Sequence, residues 1–286
     1  MTAKEILTKA KKEGYALGAF NACNLETLKA ITTAAKKLNS PIIIESSEGE
    51  ANYFGKKELA AVVRIYKTEL NIPIILNLDH ASSFEECKQA VDAGFDYVHF
   101  DGSKLPFEEN IKVAKEVVKY AHDHGVLVEG EIDHIEGSSG DHTKEKPNDY
   151  LQKSHYTDPE QALKFVAKTG VDTFASFIGN LHGLYAEHKH LNMELLQTIF
   201  HTLPETFLSL HGGSGIDDNE VKQAINLGIV KVNVNSEMRV AFKNTLQKTL
   251  NESSEVAFYK LSTPAIEEVS KVVEAKIKLF GSANKI

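Results

Sequence analysis

Residues 72–102, IPIILNLDHASSFEECKQAVDAGFDYVHFDG, hold one complete repeat of the pattern that runs through the chain. An apolar run, IPIILNLDH, ends in two chemically active side chains, Asp79 and His80. Ser82 or Ser83 can cap the helix that follows, with Glu85 or Glu86 in its first turn. A second apolar run, YVHFDG, then closes the repeat on Asp101.

Working outward, six further runs read as strands: YALGAFN (15–21), PIIIES (41–46), VLVEGEID (126–133), TFASFIG (173–179), TFLSLHG (206–212) and IVKVNVN (229–235). Amphipathic stretches near 25–38, 56–70, 107–124, 158–169, 191–201, 217–228, 236–249 and 264–279 join the helix at 83–93. Asp217 or Asp218 caps one of these helices and Gly228 ends it, while Asp158 and Pro159 form a cap-and-start pair for another. The strands are continuously apolar rather than alternating, which predicts a sheet covered on both faces. Eight strand–helix units in 286 residues predict a (β/α)8 barrel, read as one domain over 1–286. The competing architecture is an open doubly wound sheet. Its glycine-rich dinucleotide turn is missing, because GAFNACN after the first strand offers a single glycine.

Composition narrows the function classes. The chain is 42% hydrophobic and 25% charged, enough for a large core and unlike a disordered chain. Cys23 and Cys87 are its two cysteines, so no disulfide framework is expected, and neither has a histidine placed to activate it. A net charge of -8 disfavours nonspecific nucleic-acid binding. The start, MTAKEILTKAKKEGYALGAF, lacks the apolar core of a signal peptide, and no later run is long enough to span a bilayer. A soluble cytoplasmic protein with no membrane contact is expected. The lysine pairs at 11–12, 36–37 and 56–57 read as solvated faces. Residues 134–157 break the rhythm: this polar, turn-rich stretch after the fifth strand reads as a lid, a binding loop or local disorder.

In a barrel of this kind, polar residues at the carboxyl ends of strands converge on one rim. Those ends carry Asp79 and His80, Asp101, Glu129 and Glu131, His182, His211, Asn233 and Asn235. His80, His182 and His211 could give three imidazoles to one divalent metal and leave a position open for substrate, with Glu131 on the same metal when substrate is absent or on a second cation nearby. They could equally be separate polar residues held by backbone hydrogen bonds. Asp79 could act as a base on bound substrate, or could orient a ligand histidine or cap the next helix. LHGGSGI at 210–216 sets three glycines around Ser214 before a helix, and with Gly183 and the VNVNS segment ending at Ser236 it predicts a phosphate nest after the last strands. Glycine-favoured tight turns would look the same. Lys231 should point into the barrel; a Schiff base there would leave the three histidines unexplained.

These segments together resemble the class II, metal-dependent ketose-bisphosphate aldolases. The resemblance runs through GAFNACNLE (18–26), SSEGEANYFG (46–55), NLDHASSFEECKQAVDAGFDYVHFDGS (77–103), PFEENI (106–111) and VEGEI (128–132). It continues in FIGNLHGLY (177–185), LHGGSGI (210–216), KVNVNS (231–236) and the closing KLFGSANKI (278–286). It implies a zinc ion on His80, His182 and His211, with Glu131 able to meet the metal, and Asp79 as acid/base at the substrate 4-hydroxyl. It implies dihydroxyacetone phosphate on Gly183, Gly212, Ser214, Asn233, Asn235 and Ser236, with a monovalent cation, Na+ or K+, near Gly183 and Ser214. Asn21 and Ser47 match pocket residues and Asp101 a strand-four acid. The implied activity is reversible cleavage of fructose 1,6-bisphosphate or a related ketose phosphate, tagatose 1,6-bisphosphate included, by a homodimer or larger even oligomer.

Two positions depart from the family pattern. Where the family has a proton-shuttling glutamate, this chain has Ser139, leaving Glu136, Asp141 or another loop residue to stand in. Where the family has a DPR arginine for the aldehyde-side phosphate, EVAFYKLSTPA (255–265) has none; Lys260 is adjacent, and Arg239 lies further away on a helix. The donor half is therefore expected intact and the acceptor half altered, so that a non-bisphosphorylated ketose 1-phosphate or an acceptor of different chain length fits equally well. A zinc-dependent epimerase or a noncatalytic binding protein on the same scaffold are the rival functions.

Overall fold

Short runs rich in β-branched residues, such as Ile42–Ile44 and Ile74–Leu76, are buried along their whole length, and the helices between them each bury one stripe. A computed structural model describes residues 1–151 and 155–286. In chain order the elements are α1 (Ala3–Glu13), β1 (Leu17–Asn21), α2 (Leu25–Lys37), β2 (Ile42–Ser47), α3 (Glu48–Phe54), α4 (Lys56–Leu70), β3 (Ile74–Ala81) and α5 (Phe84–Ala93). Next come β4 (Tyr97–Asp101), α6 (Phe107–Asp123), β5 (Leu127–Glu131), β6 (Asp141–His142), α7 (Asn148–Leu151), α8 (Pro159–Thr169), β7 (Thr173–Ala175) and β8 (Leu184–Tyr185). The chain finishes with α9 (Met193–Thr202), β9 (Phe207–Leu210), α10 (Asp218–Asn226), β10 (Ile229–Val234), α11 (Ser236–Glu252) and α12 (Phe258–Leu279).

Eight strands close a parallel barrel in the order β1-β10-β9-β7-β5-β4-β3-β2, the expected (β/α)8 architecture. Its register sets Ser47 beside Asp79 and Asp101 beside Glu131 at the carboxyl rim. One apolar layer lies between sheet and helices. A second fills the amino-terminal end of the barrel, where Ile43, Ile75, Tyr97, Leu127 and Val230 meet Ile6, Leu7 and Ala10 of α1. The sequence reading did not include α1, a helix with a Thr2/Glu5 capping box that plugs the end opposite the rim. Ser83, Asp158 and Asp217 are the caps observed for α5, α8 and α10.

The sixth barrel strand is shorter than the predicted 173–179. β7 ends at Ala175, because the next amides are taken by side chains: Thr157 Oγ1 accepts from Phe177 at 2.8 Å and Asn180 Oδ1 from Ile178 at 2.8 Å. The long loop is built rather than loose where it is described. β6 pairs with β8, His142 stacks on Tyr185, and Ile135 packs with Phe177 and Leu181. Residues 152–154 of the predicted loop lie outside the described residues. No helix among the described residues is long and apolar enough to cross a membrane.

Candidate active site

Asp79 and His80 leave β3 through an irregularity: the β3–β4 register slips between Leu78 and Ala81, and His80 adopts a left-handed φ of 49°. A non-glycine residue pays for that backbone, and here it turns the imidazole across the barrel mouth. His80 Nδ1 meets Asp101 Oδ2 at 2.9 Å, and its Nε2 meets His211 Nδ1 at 3.0 Å. The ring centroids of His80, His182 and His211 are 4.7, 5.1 and 6.1 Å apart in pairs, so strand ends far apart in sequence do bring the three predicted imidazoles together. The tightest groups of ligand atoms are Asp79–His80–His99–His211 and His80–Asp101–Glu131. His182 is in neither, and its Nδ1 is 3.1 Å from the Ile135 carbonyl.

His99 is the residue that sequence reading missed. It is wholly buried on β4, with Nδ1 accepting from the His80 N–H at 3.2 Å and Nε2 3.4 Å from Glu131. The signal was strand parity, since positions 99 and 101 of one strand face the same way. Both carboxylate oxygens of Glu131 are buried without a hydrogen-bond partner. An orphaned buried carboxylate beside several imidazoles is the donor set a divalent cation satisfies, so these residues fit a metal.

Charge is tuned through the site. Burial raises Glu131 to about 7, with Asp101 adding to it. Burial opposes charge on His80, yet Asp79, Asp101 and Glu131 outweigh it and raise the imidazole to about 9. Burial lowers His211 to about 4, against the pull of Glu129. Asp79 is also buried, but His80 and other cations hold its carboxyl well below the usual range. Asn233 Nδ2 donates to Asp79 at 3.1 Å, keeping the ionised oxygen in place. Beneath the site, Glu129 accepts from Tyr97 and Lys231 at 2.9 and 2.7 Å, meets His211 Nε2 at 2.8 Å, and also takes Ser209 Oγ. Lys231 does point into the barrel, as a structural counter-ion of Glu129.

A cavity of about 310 Å³ opens over these groups. Asn21, Ser47, Asp79, His80, Asp101, His182, Gly183, Gly212, Ser214, Asn233, Asn235 and Ser236 all line it. Gly183 and Gly212 have φ of 100° and 61°, and a Cβ on Gly212 would collide with the Leu181 carbonyl. Glycine is required there for the two loops to touch. Glu50 ties together three residues of the lining, accepting from Asn21 at 2.8 Å, Ser47 Oγ at 2.9 Å and Arg239 at 2.5 Å.

The two departures are resolved differently. Ser139 lines the cavity, whereas Glu136 and Asp141 do not; Glu136 accepts the His182 N–H through its carbonyl, and Asp141 is exposed and bonded to Thr143. The loop instead brings His134 to the cavity. Lys260 is exposed on α12, paired with Glu255 at 2.7 Å, and does not line the cavity. Arg239 does, and its Nη1 donates to the Ser139 carbonyl at 2.7 Å. Lys189 is a further surprise: buried, lowered to about 7 by that burial, it donates to the carbonyls of Leu181, Gly183 and Gly212.

Fold and site define the class: a (β/α)8 enzyme with imidazole and carboxylate donors grouped for a metal at its carboxyl rim. Residues 1–285 match the family described as fructose-bisphosphate aldolase class-II. A fructose-bisphosphate aldolase of Staphylococcus epidermidis is 39% identical, over 99% of this chain and 97% of that one. The 6-phospho-5-dehydro-2-deoxy-D-gluconate aldolase of Bacillus subtilis is 38% identical, over 99% and 96%. The crystal structure of the YdjI aldolase from Escherichia coli K12 superposes with a TM-score of 0.85 at 32% identity, covering 99% and 97% of the two chains. The chain belongs to the class II fructose-bisphosphate aldolase family, whose members are metal-dependent carbon–carbon lyases.

Proposed function

We propose that the chain, acting as one barrel domain over 1–286 with its loop at about 134–157, cleaves a ketose phosphate between C3 and C4. The products are dihydroxyacetone phosphate and an aldehyde, and the reaction runs in both directions. The observation that carries this reading is a buried, ionised Asp79 at the histidine rim, facing the same cavity as the glycine–serine loops. Asp79 takes the 4-hydroxyl proton as the carbon–carbon bond breaks and returns it in condensation. Gly183, Gly212, Ser214, Asn233, Asn235 and Ser236 hold the phosphate and so orient the donor half. His80, His182 and His211, with Glu131, hold zinc, which when bound polarises the substrate carbonyl and offsets the charge that develops beside it. Asp101 and Glu129 orient His80 and His211 through their outer nitrogens. His134, the titratable side chain that the loop sets at the cavity, carries the donor-half proton in place of the missing glutamate.

A second reading of the acceptor is favoured by Arg239. It brings a guanidinium to the cavity lining, and its fork suits a carboxylate as well as a phosphate. The gluconate named for the Bacillus subtilis relative is such an acid. In solution we propose a homodimer or larger even assembly, which light scattering would test, and a cytoplasmic location.

The test is a panel of ketose 1-phosphates, 1,6-bisphosphates and carboxylate-ended ketose phosphates, with dihydroxyacetone phosphate followed by a coupled reductase. Chelator-sensitive release is expected. Zinc-loaded protein that releases none from any substrate would overturn the aldolase reading; an isomer in place of cleavage would make it an epimerase.

A further inference from the structure

The resemblance to aldolases implies a free Na+ or K+ beside Gly183 and Ser214, but the surrounding carbonyls do not fit one, because a side chain already meets them. Lys189 Nζ lies 2.7 Å from the Leu181 carbonyl, 3.1 Å from that of Gly183 and 2.6 Å from that of Gly212. Three carbonyl acceptors demand three N–H donors, which an ammonium has and a neutral amine lacks. The side chain is sealed in, with 1% of Lys189 exposed. The charges that act on it, Glu237 and Lys276, are paired with each other at 2.8 Å. Its backbone is tied to the same region, bridging to Ile216.

A buried ammonium without its own carboxylate is costly, and carbonyls alone do not return the whole cost. A phosphate on the far side of the Gly183 and Gly212 peptides would supply the missing negative charge. The nest itself consists of amides, hydroxyls and carboxamides, and Arg239 in the cavity lining is already held by Glu50. We propose that Lys189 is a built-in monovalent cation: its ammonium occupies the carbonyl cage behind the phosphate nest, so that substrate phosphate is bound without Na+ or K+. Rings of backbone carbonyls are the usual ligand set for such ions, and here the chain provides its own. The inference rests on the reading of these loops as a phosphate nest.

The test compares zinc-loaded wild type, Lys189→Ala and Lys189→Met in tetramethylammonium, Na+ and K+ chlorides of equal ionic strength. Inorganic phosphate affinity is read by calorimetry and thermal stability by melting temperature. Wild type should show no preference among the salts in either measurement. Lys189→Ala opens the cage and should lose phosphate affinity in tetramethylammonium, by about 5- to 150-fold, with K+ or Na+ restoring it. Lys189→Met fills the cage with an apolar chain and should not be rescued. Selective tightening of wild-type phosphate binding by K+ or Na+ would overturn the proposal without any variant. So would a Lys189→Ala protein whose melting temperature and phosphate affinity ignore the salt. If wild type binds no phosphate in any salt, the nest reading fails, while the salt dependence of Lys189→Ala melting still decides whether the ammonium replaces an ion.

Discussion

The role proposed for Asp79 depends on neighbours that disagree about its charge. Burial favours the neutral acid, while His80, His99 and His211 favour the carboxylate and prevail. Replacing it by asparagine keeps shape and much of the bonding to Asn233 but removes the base. Asp79→Asn should lower turnover by about 10²- to 10⁴-fold with zinc content unchanged by elemental analysis. Retained turnover would move the base elsewhere. Lys231 offers the opposite case, a charge with a structural purpose. It is wholly buried between Glu129 at 2.7 Å and Glu45 at 3.6 Å. Lys231→Met would leave both carboxylates without their cation, at a cost of about 3–5 kcal/mol in chemical denaturation. A smaller loss would mean that the carboxylates simply take up protons. His134 is tested by exchange: His134→Ala should slow solvent hydrogen exchange into dihydroxyacetone phosphate more than it weakens phosphate binding.

At the scale of elements, the loops after β7 and β9 have to be read as a pair. Gly212 reaches Leu181 only because it has no side chain, and its φ of 61° is one that alanine adopts at a cost. Gly212→Ala should push the loops apart, raising the KM for any ketose phosphate and lowering the melting temperature through the backbone clash and the left-handed φ. An unchanged KM would remove Gly212 from the nest. The strand ends were legible in sequence because an apolar run stops abruptly at a polar residue, and the parallel barrel then puts all those stops on one rim. Caps such as Ser83 and Asp217 were legible for the same local reason. Less was legible where function depends on contacts between loops. His99 was hidden inside an apolar strand, although its parity with Asp101 marked its face. Lys189 stands in AEHKHLN, a stretch without periodicity, and its contacts come from loops contributed by two strand–helix units. Arg239 looked remote along the chain and yet reaches the Ser139 carbonyl, whereas Lys260 looked close and lies outside the cavity. α1 carried a readable capping box, but its destination at the barrel floor is tertiary.

Over the whole molecule, an apolar plug at one end of the barrel faces a charged mouth at the other. Glu45, Glu129, Glu131, Asp79 and Asp101 are gathered there with Lys231 and the imidazoles, and burial raises Glu45 to about 8 with Asp79 adding to it. A divalent cation in that mouth relieves repulsion among carboxylates, so removing it should lower stability by an amount set by metal affinity, about 2.7 kcal/mol for metal at a hundredfold its Kd. The pH dependence follows from His80. Without metal its imidazole rises from 6.5 to about 9, so the proton it binds stabilises the fold fully below 6.5, and that contribution is lost as the pH climbs through 9. Metal binding requires the unprotonated imidazole, so the same proton competes with the ion, weakening its affinity by about tenfold per unit of pH below that value. Both effects have one sign. The gap in melting temperature between zinc-loaded and chelated protein should widen as pH rises from 6.5 to 9, read by calorimetry at fixed free zinc. Asp101→Asn removes the carboxylate partner 2.9 Å from His80, and should move that widening to lower pH. A gap that stays constant across the range, in wild type and variant alike, would show that His80 does not surrender a proton to the metal.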